Sequence, residues 1–249
     1  MNGNQMQTSR IELKYVINED LALQIRAFAR RHLVLDEHSV GKPNFSYPVH
    51  SLYLDSDTLL TYWNTINGDR NRFKLRIRFY DEDAESPVFL EVKRRVNDSI
   101  KKQRAGLRRD AASRILAGQL PDPANRDPKD ALAMEEFHRL MQQTQARPKL
   151  HVAYQREAYM PREDNSARLT FDRNVRSEPD PEARLTTRMR NPRITWGKAV
   201  ILELKFTNRF PDCFGELVQR FELKPTGAAK YVDGLAHHSR WSFLGSRQI

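Results

Sequence analysis

Lys74-Leu75-Arg76-Ile77-Arg78-Phe79-Tyr80 alternates cation and apolar residue without a break from 74 to 79. In a strand, side chains at i and i+2 share a face, so Lys74, Arg76 and Arg78 point one way and Leu75, Ile77 and Phe79 the other. Most half-buried strands lay an apolar face on a core and leave mixed polar groups to water. Here the polar face is uniformly cationic.

The same pattern recurs along the chain. Arg10 to Ile17 pairs Glu12 with Lys14, Val88 to Arg94 pairs Glu91 with Lys93, and Arg168 to Asp172 puts Arg168, Thr170 and Asp172 on one face. Val200 to Phe206 pairs Glu203 with Lys205. Ser51 to Leu54 and Lys149 to Tyr159, which carries Arg156, complete the alternating segments. Outward-facing charges would make these solvated surfaces and nothing more. Turned inward, they form an interior that needs partners, because buried charges are costly when unpaired. On that face the cations Lys14, Lys74, Arg76, Arg78, Lys93, Arg156, Arg168 and Lys205 outnumber the carboxylates Glu12, Glu91, Asp172 and Glu203. The expected fold is α+β: a closed antiparallel β-barrel of about eight strands with flanking helices. It is expected to occupy residues 1–249 as a single domain, with its core over about 10–235.

Helix signals lie between the strands. Asn18 caps a segment running to about Leu33, with Glu19 and Asp20 in its first turn. A short helix is expected after Asp55-Ser56-Asp57, and others over 128–145, 211–222 and 228–239, the first opened by Asp127-Pro128. Residues 119–129 and Ser177 to Pro192 read as long loops, the second as mobile.

The chain has 249 residues, 39% hydrophobic and 30% charged, with a formal net charge of +10. Such a charge points to a polyanionic partner: nucleic acid, an anionic membrane or a phosphate-rich ligand. Cys213 is the single cysteine. It allows no internal disulfide and no cysteine-based zinc site, and a reducing cytoplasmic location is expected. No apolar run reaches the roughly 18 residues of a membrane span. The seven histidines lack i, i+4 pairing, which argues against a histidine metal site. The run from Lys93 to Arg104 could serve nucleic acid, but aromatic residues for base stacking are not interleaved with it, so a role at the barrel mouth is preferred.

Phosphates are the partners that suit the inward face. Arginine forks hold phosphate oxygens in pairs and lysines add compact charge. The few carboxylates offer hard oxygen ligands for Mg2+ or Mn2+, Glu203 first among them. No Gly-x-x-x-x-Gly-Lys-Ser/Thr or Gly-x-Gly-x-x-Gly stretch is present, so phosphate is not cradled by a glycine loop.

Seven stretches in order carry a family resemblance: Arg10 to Tyr15, Ser51 to Asp55, Lys74 to Tyr80, Phe89 to Lys93, Tyr154 to Tyr159, Arg168 to Asp172 and Leu202 to Lys205. Together they resemble the VTC (vacuolar transporter chaperone) polyphosphate polymerase domain, a branch of the triphosphate tunnel metalloenzymes. The resemblance spans about residues 10–235. It implies a tunnel that transfers the γ-phosphate of ATP to a growing polyphosphate chain, releasing ADP, with Mn2+ favoured. It also implies phosphate-binding or catalytic roles for Arg76, Arg78, Lys93, Arg156, Arg168 and Lys205, with Lys14, Lys74 and Lys230 as further binding lysines. Glu203 matches the family's metal glutamate, and Glu91 and Glu12 are further candidates. Two features depart from the pattern. Ala229 stands where the family has serine before Lys230, and Gly227 stands where a second basic residue occurs. Related triphosphatases and cyclases of the CYTH group carry Glu-x-Glu-x-Lys near the start, whereas this chain has Arg10 at the first glutamate, which favours the polymerase branch. Hydrolysis of tripolyphosphate or nucleoside triphosphate, and polyphosphate sensing without turnover, are the alternatives. The expected partners are ATP and polyphosphate rather than nucleic acid, and a separate membrane protein would be needed for export.

Overall fold

The computed structural model describes residues 10–97, 99–120 and 127–238. Its strands are β1 (Arg10–Ile17), β2 (Val34–Leu35), β3 (Tyr47–Asp55), β4 (Asn71–Phe79), β5 (Val88–Val96), β6 (Ser99–Leu107), β7 (Arg147–Met160), β8 (Ala167–Pro179), β9 (Arg193–Ile194) and β10 (Val200–Thr207). The α-helices are α1 (Glu19–Ala29), α2 (Leu60–Ile66), α3 (Arg109–Leu116), α4 (Pro128–Gln143), α5 (Asp212–Arg220) and α6 (Lys230–Ala236).

All ten strands belong to one antiparallel sheet, in the order β2-β7-β3-β4-β5-β6-β1-β10-β8-β9. The sheet curls until β7 also pairs with β8, from Leu150 opposite Pro179 to Tyr159 opposite Leu169. On the far side, β6 and β1 meet at a single register pair, Arg10 opposite Ile100. The expected closed barrel is therefore corrected: among the described residues the sheet is α+β and strongly curled but not closed into a barrel. The reason is stagger. Arg10 and Ile100 lie at the starts of their strands, and antiparallel strands that meet at their starts run apart in opposite directions.

The apolar faces of the strands are covered by helices. Leu75, Ile77, Leu90 and Val92 pack with Ala112 and Ile115 of α3 and with Met134, Phe137 and Leu140 of α4. Tyr15, Leu169, Phe171, Leu202 and Leu204 pack with Ile25 and Phe28 of α1 and Phe214 and Leu217 of α5. Each large side chain fully buried here contributes roughly 1.5–3 kcal/mol of transfer free energy. Because the helices take the outer face, the charged face is left on the inside of the curl. On the inner side α6 sets Tyr231, Val232 and Leu235 against Leu150, Val152 and Val175, with Tyr62 and Trp63 of α2 packed against the same cluster. A Cβ added to Gly234 would come within 3.1 Å of Leu150 and Ser177, so the glycine lets α6 approach β7 and β8 closely.

The helix signals are realised locally. Asn18 Oδ1 accepts from the Leu21 amide at 2.8 Å, and Asp127 Oδ1 accepts from the Lys129 amide at 2.8 Å with Pro128 at the first position of α4. Asp55, at the end of β3, accepts from the amides of Ser56, Thr61 and Tyr62, and so fixes where α2 begins.

Three expectations change. The basic run from Lys93 to Arg104 is the β5–β6 hairpin, not a patch: Lys93, Lys102 and Arg104 turn inward, whereas Arg94 pairs with Glu136 of α4. The first residues of the Ser177 to Pro192 loop belong to β8, and the remainder is tethered. Arg184 bonds Glu178 and Asp180, Leu185 is buried, and Thr186 and Thr187 bond Glu82. α3 was not anticipated. Residues 121–126 of the other expected loop, residue 239 at the end of the last expected helix, and the side chain of Arg10 lie outside the described residues.

Candidate functional site

The inner face of the curl collects the charged sides of β1, β4, β5, β6, β7, β8 and β10 with Lys230 of α6. Its carboxylates are shared among several cations each. Glu203 accepts from Lys230 at 2.8 Å and Arg156 at 3.3 Å, contacts Lys205, and lies 3.8 Å from Lys14. Asp172 takes both arms of Arg156 at 2.7 Å and Lys230 at 2.7 Å. Glu12 accepts from Lys93 at 2.6 Å and lies 3.6 Å from Lys14.

A second set lies on β4, β5 and β6. Glu91, fully buried, accepts from Arg76 at 2.7 Å. It also lies 2.8 Å from Lys102, 3.5 Å from Arg104 and 3.8 Å from Arg78. This follows from register, since Arg76, Glu91 and Arg104 are direct cross-strand partners. The adjacent rung is different. Lys74, Lys93 and Lys102 stand directly opposite one another, an arrangement that is unfavourable without an anion nearby.

Arginines of this face also donate to neutral oxygens. Arg78 donates to Tyr154 Oη at 3.3 Å and, at the limit of reach, to Ser51 Oγ at 3.4 Å. Arg168 pairs with Asp36 at 2.6 Å and donates to Tyr47 Oη at 3.3 Å. Lys74 has no carboxylate within ion-pair distance among the described residues, and its ammonium lies 5.9 Å from the centre of the Tyr231 ring. Lys14, Lys74, Arg76, Arg78, Lys93, Lys102, Arg104, Arg156, Arg168, Lys205 and Lys230 face Glu12, Asp36, Glu91, Asp172 and Glu203, with Asp233 of α6 close enough to act on Lys14 and Lys74. On this face Arg104 Nε, Arg168 Nε and Thr170 Oγ1 are buried without a hydrogen bond among the described residues, Arg104 Nε lying 3.5 Å from the Glu91 carboxylate.

The cation surplus is visible in the acid–base properties. Burial, then Lys14 and Lys93, pushes Lys74 down to about 7. Lys102 is likewise pushed down to about 7 by burial, with Arg78 and Arg76 opposing the help it receives from Glu91. Lys205 falls to about 8, again chiefly through burial. The carboxylates move the other way from what burial alone would do. Burial would raise Glu203, but Lys205, Lys230, Lys14 and Arg156 hold it well below the usual range. Burial would raise Glu91 too, and Arg76, Arg78 and Lys102 hold it well below. Lys230, despite its burial, is raised by Asp172 and Glu203.

All twelve residues expected at the site from the sequence lie on this inner face, but they do not form one cluster. Glu12 and Glu203 are neighbours that share Lys14, whereas Glu91 sits in its own ring of Arg76, Lys102 and Arg104. Among the described residues no three His, Cys, Asp or Glu side chains gather as a ready-made metal cage. Glu12 and Glu203 do fit an ion of the Mg2+ or Mn2+ type, which takes one or two carboxylates and fills its other positions with water and substrate phosphate. Lys102, Arg104, Asp36 and the tyrosines 47, 53 and 154 were missing from the expected set. Lys102 and Arg104 sit at alternate positions of β6, whose stretch from Lys101 to Arg104 has no apolar alternation to mark a face; Asp36 lies in a loop and carries no such signal.

No curated protein matches the chain. Among solved structures, a putative adenylate cyclase from Bacillus halodurans superposes with a TM-score of 0.50 at 14% identity, covering 90% of this chain and 96% of that one. A putative adenylyl cyclase from Hippeastrum, described as revealing a dominant triphosphatase activity, gives 0.45 at 14% identity, covering 90% and 94%. The first of these likenesses concerns the fold: a curled antiparallel sheet with flanking helices. The family described as VTC domain matches residues 9–238, nearly all of the sheet and its inner face, and the chain belongs to that family.

Proposed function

We propose that this protein is a polyphosphate polymerase: its inner face binds ATP and a polyphosphate end, and the γ-phosphate passes to the chain with release of ADP. The observation that carries the reading is the surplus of inward cations: among the described residues Lys74 has no carboxylate within ion-pair distance, and the hydrogen bonds of Arg78 go to neutral oxygens, with Glu91 3.8 Å away. A triphosphate supplies the missing anions. In the proposed arrangement Arg76, Arg78, Arg156 and Arg168 grip phosphate oxygens, and Lys14, Lys74, Lys93, Lys205 and Lys230 neutralise charge that spreads over the transferring group. Positioning and neutralisation are most of what phosphoryl transfer needs from a protein. Glu203 and Glu12 would hold Mn2+ or Mg2+, which when bound would draw electron density from phosphate oxygens.

The state of the carboxylates favours transfer over hydrolysis. Carboxylates held well below their usual range by lysines and arginines are poor proton acceptors, so Glu91 and Glu203 would not be the base for attack by water. The terminal oxygen of a polyphosphate is already anionic and needs none. No helix among the described residues is long and apolar enough to cross a membrane, and the proposal includes a membrane partner for export of the product. The lone Cys213 fits a reducing cytoplasm.

The test is to incubate the pure protein with ATP and Mn2+ and to measure ADP, free phosphate and acid-stable chains. ADP with acid-stable chains is expected, with loss of both in Glu203→Ala. Free phosphate alone would make the protein a triphosphatase. Tight tripolyphosphate binding without either product would make it a sensor.

A further inference from the structure

The geometry points to Tyr47, Tyr80 and Phe89 as a stacking wall for the base of a nucleoside triphosphate, an inference that rests on the inner cations holding its phosphates. Strand parity puts all three on the inner side. Tyr47 precedes Ser51 and Tyr53 on β3, Tyr80 follows Arg78 just past the end of β4, and Phe89 precedes Glu91 on β5. Their rings are contiguous, with centroids 6.3 Å apart between Tyr47 and Tyr80 and 6.1 Å apart between Tyr80 and Phe89. Tyr80 and Phe89 keep part of their surface open, unlike the fully packed aromatic residues of the outer cores.

This wall is joined to the cations. The Arg104 guanidinium carbon lies 3.4 Å from the centre of the Phe89 ring, and Arg104 donates to Tyr80 Oη at 3.4 Å. Arg168 donates to Tyr47 Oη at 3.3 Å. Both arginines keep a buried Nε that makes no hydrogen bond among the described residues, although Arg104 Nε lies 3.5 Å from the Glu91 carboxylate. Arg78, two residues before Tyr80, belongs to the phosphate-binding set. A triphosphate gripped by Arg78 therefore ends within a few atoms of the rings. Bases stack on aromatic and guanidinium planes whatever their edge pattern. Selection should thus favour purines by ring area, with ATP and GTP bound alike.

The experiment is calorimetric titration of the full chain with ATP, GTP and inorganic tripolyphosphate, each with Mg2+, for wild type, Tyr80→Leu, Tyr80→Phe and Phe89→Leu. Loss of one base–aromatic stack predicts that Tyr80→Leu weakens ATP about 5- to 150-fold. Tripolyphosphate affinity should be unchanged, and Tyr80→Phe should restore ATP binding. An equal fall for ATP and tripolyphosphate would overturn the inference, because Tyr80 would then act only through Arg104. Unchanged ATP affinity in both Tyr80→Leu and Phe89→Leu would overturn it as well, while leaving phosphate binding intact. Failure of wild type to bind tripolyphosphate at all would sink the phosphate reading itself.

Discussion

Replacing Lys74 with methionine keeps its length and removes its charge, and should change how many protons enter the protein when a polyanion binds. Burial and the neighbouring Lys14 and Lys93 hold Lys74 near 7. At pH 8 a group with that pKa is about nine-tenths neutral. A phosphate oxygen within a few ångströms favours the charged form and brings the proton back, so binding at pH 8 should draw about 0.9 proton onto Lys74 alone. At pH 6 the lysine is already charged and the uptake at this position falls to about 0.1 proton. Affinity for tripolyphosphate must then fall as pH rises from 7 to 9. Stability of the free protein moves the opposite way. The folded pKa lies below the unfolded value, so between about 7 and 10.5 the unfolded chain binds more protons. Stability gains from Lys74 as pH rises through that window, and Lys74→Met should flatten the rise. The assay is titration calorimetry with tripolyphosphate at pH 8 in two buffers of different ionisation enthalpy. Wild type should take up about one proton more than Lys74→Met. Equal uptake by the two proteins would refute the reasoning.

Further predictions rest on the same contacts. Asp172→Asn removes one of the two carboxylates that hold Arg156 and Lys230. Breaking such a buried pair should cost about 3–5 kcal/mol, read by urea unfolding, and tripolyphosphate should restore part of it. Asp55→Ala deprives the start of α2 and the Tyr231 hydroxyl of their shared acceptor. It should destabilise by about 1.5–3 kcal/mol or more, measurable as a lower melting temperature. On the outer face, His50 and His151 share a 3.0 Å hydrogen bond and are both pushed down to about 4, chiefly by burial. Their folded pKa values lie below the unfolded ones, so stability is lost as pH falls from 6.5 towards 4. Melting curves across that range should slope less in the His50→Gln/His151→Gln double variant.

Much of this was legible in the sequence because strand parity is a local property. Arg10 to Ile17 and Val200 to Phe206 match β1 and β10 to within a residue, and their apolar sides are the ones packed under α1 and α5. The β6 strand escaped notice since Lys101-Lys102-Gln103-Arg104 offers no apolar alternation; it forms through its ladder to β5, a tertiary effect that propensity does not carry. Whether the sheet closes was equally illegible, because stagger between β1 and β6 depends on where each strand starts relative to the other. At the site, parity assigned Glu12, Glu91 and Glu203 to one face but could not separate them along it. That separation, with Glu91 ringed by Arg76, Lys102 and Arg104, comes from cross-strand register.

The most direct test of the account is a crystal structure with tripolyphosphate and Mn2+, the ion located by its anomalous signal. The account predicts phosphate oxygens on Arg76, Arg78 and Arg156 inside the curl, with Mn2+ beside Glu203. Tripolyphosphate on the outer surface, with Arg156 and Lys230 still closed on Asp172 and Glu203 and no anion between the strands, would contradict it.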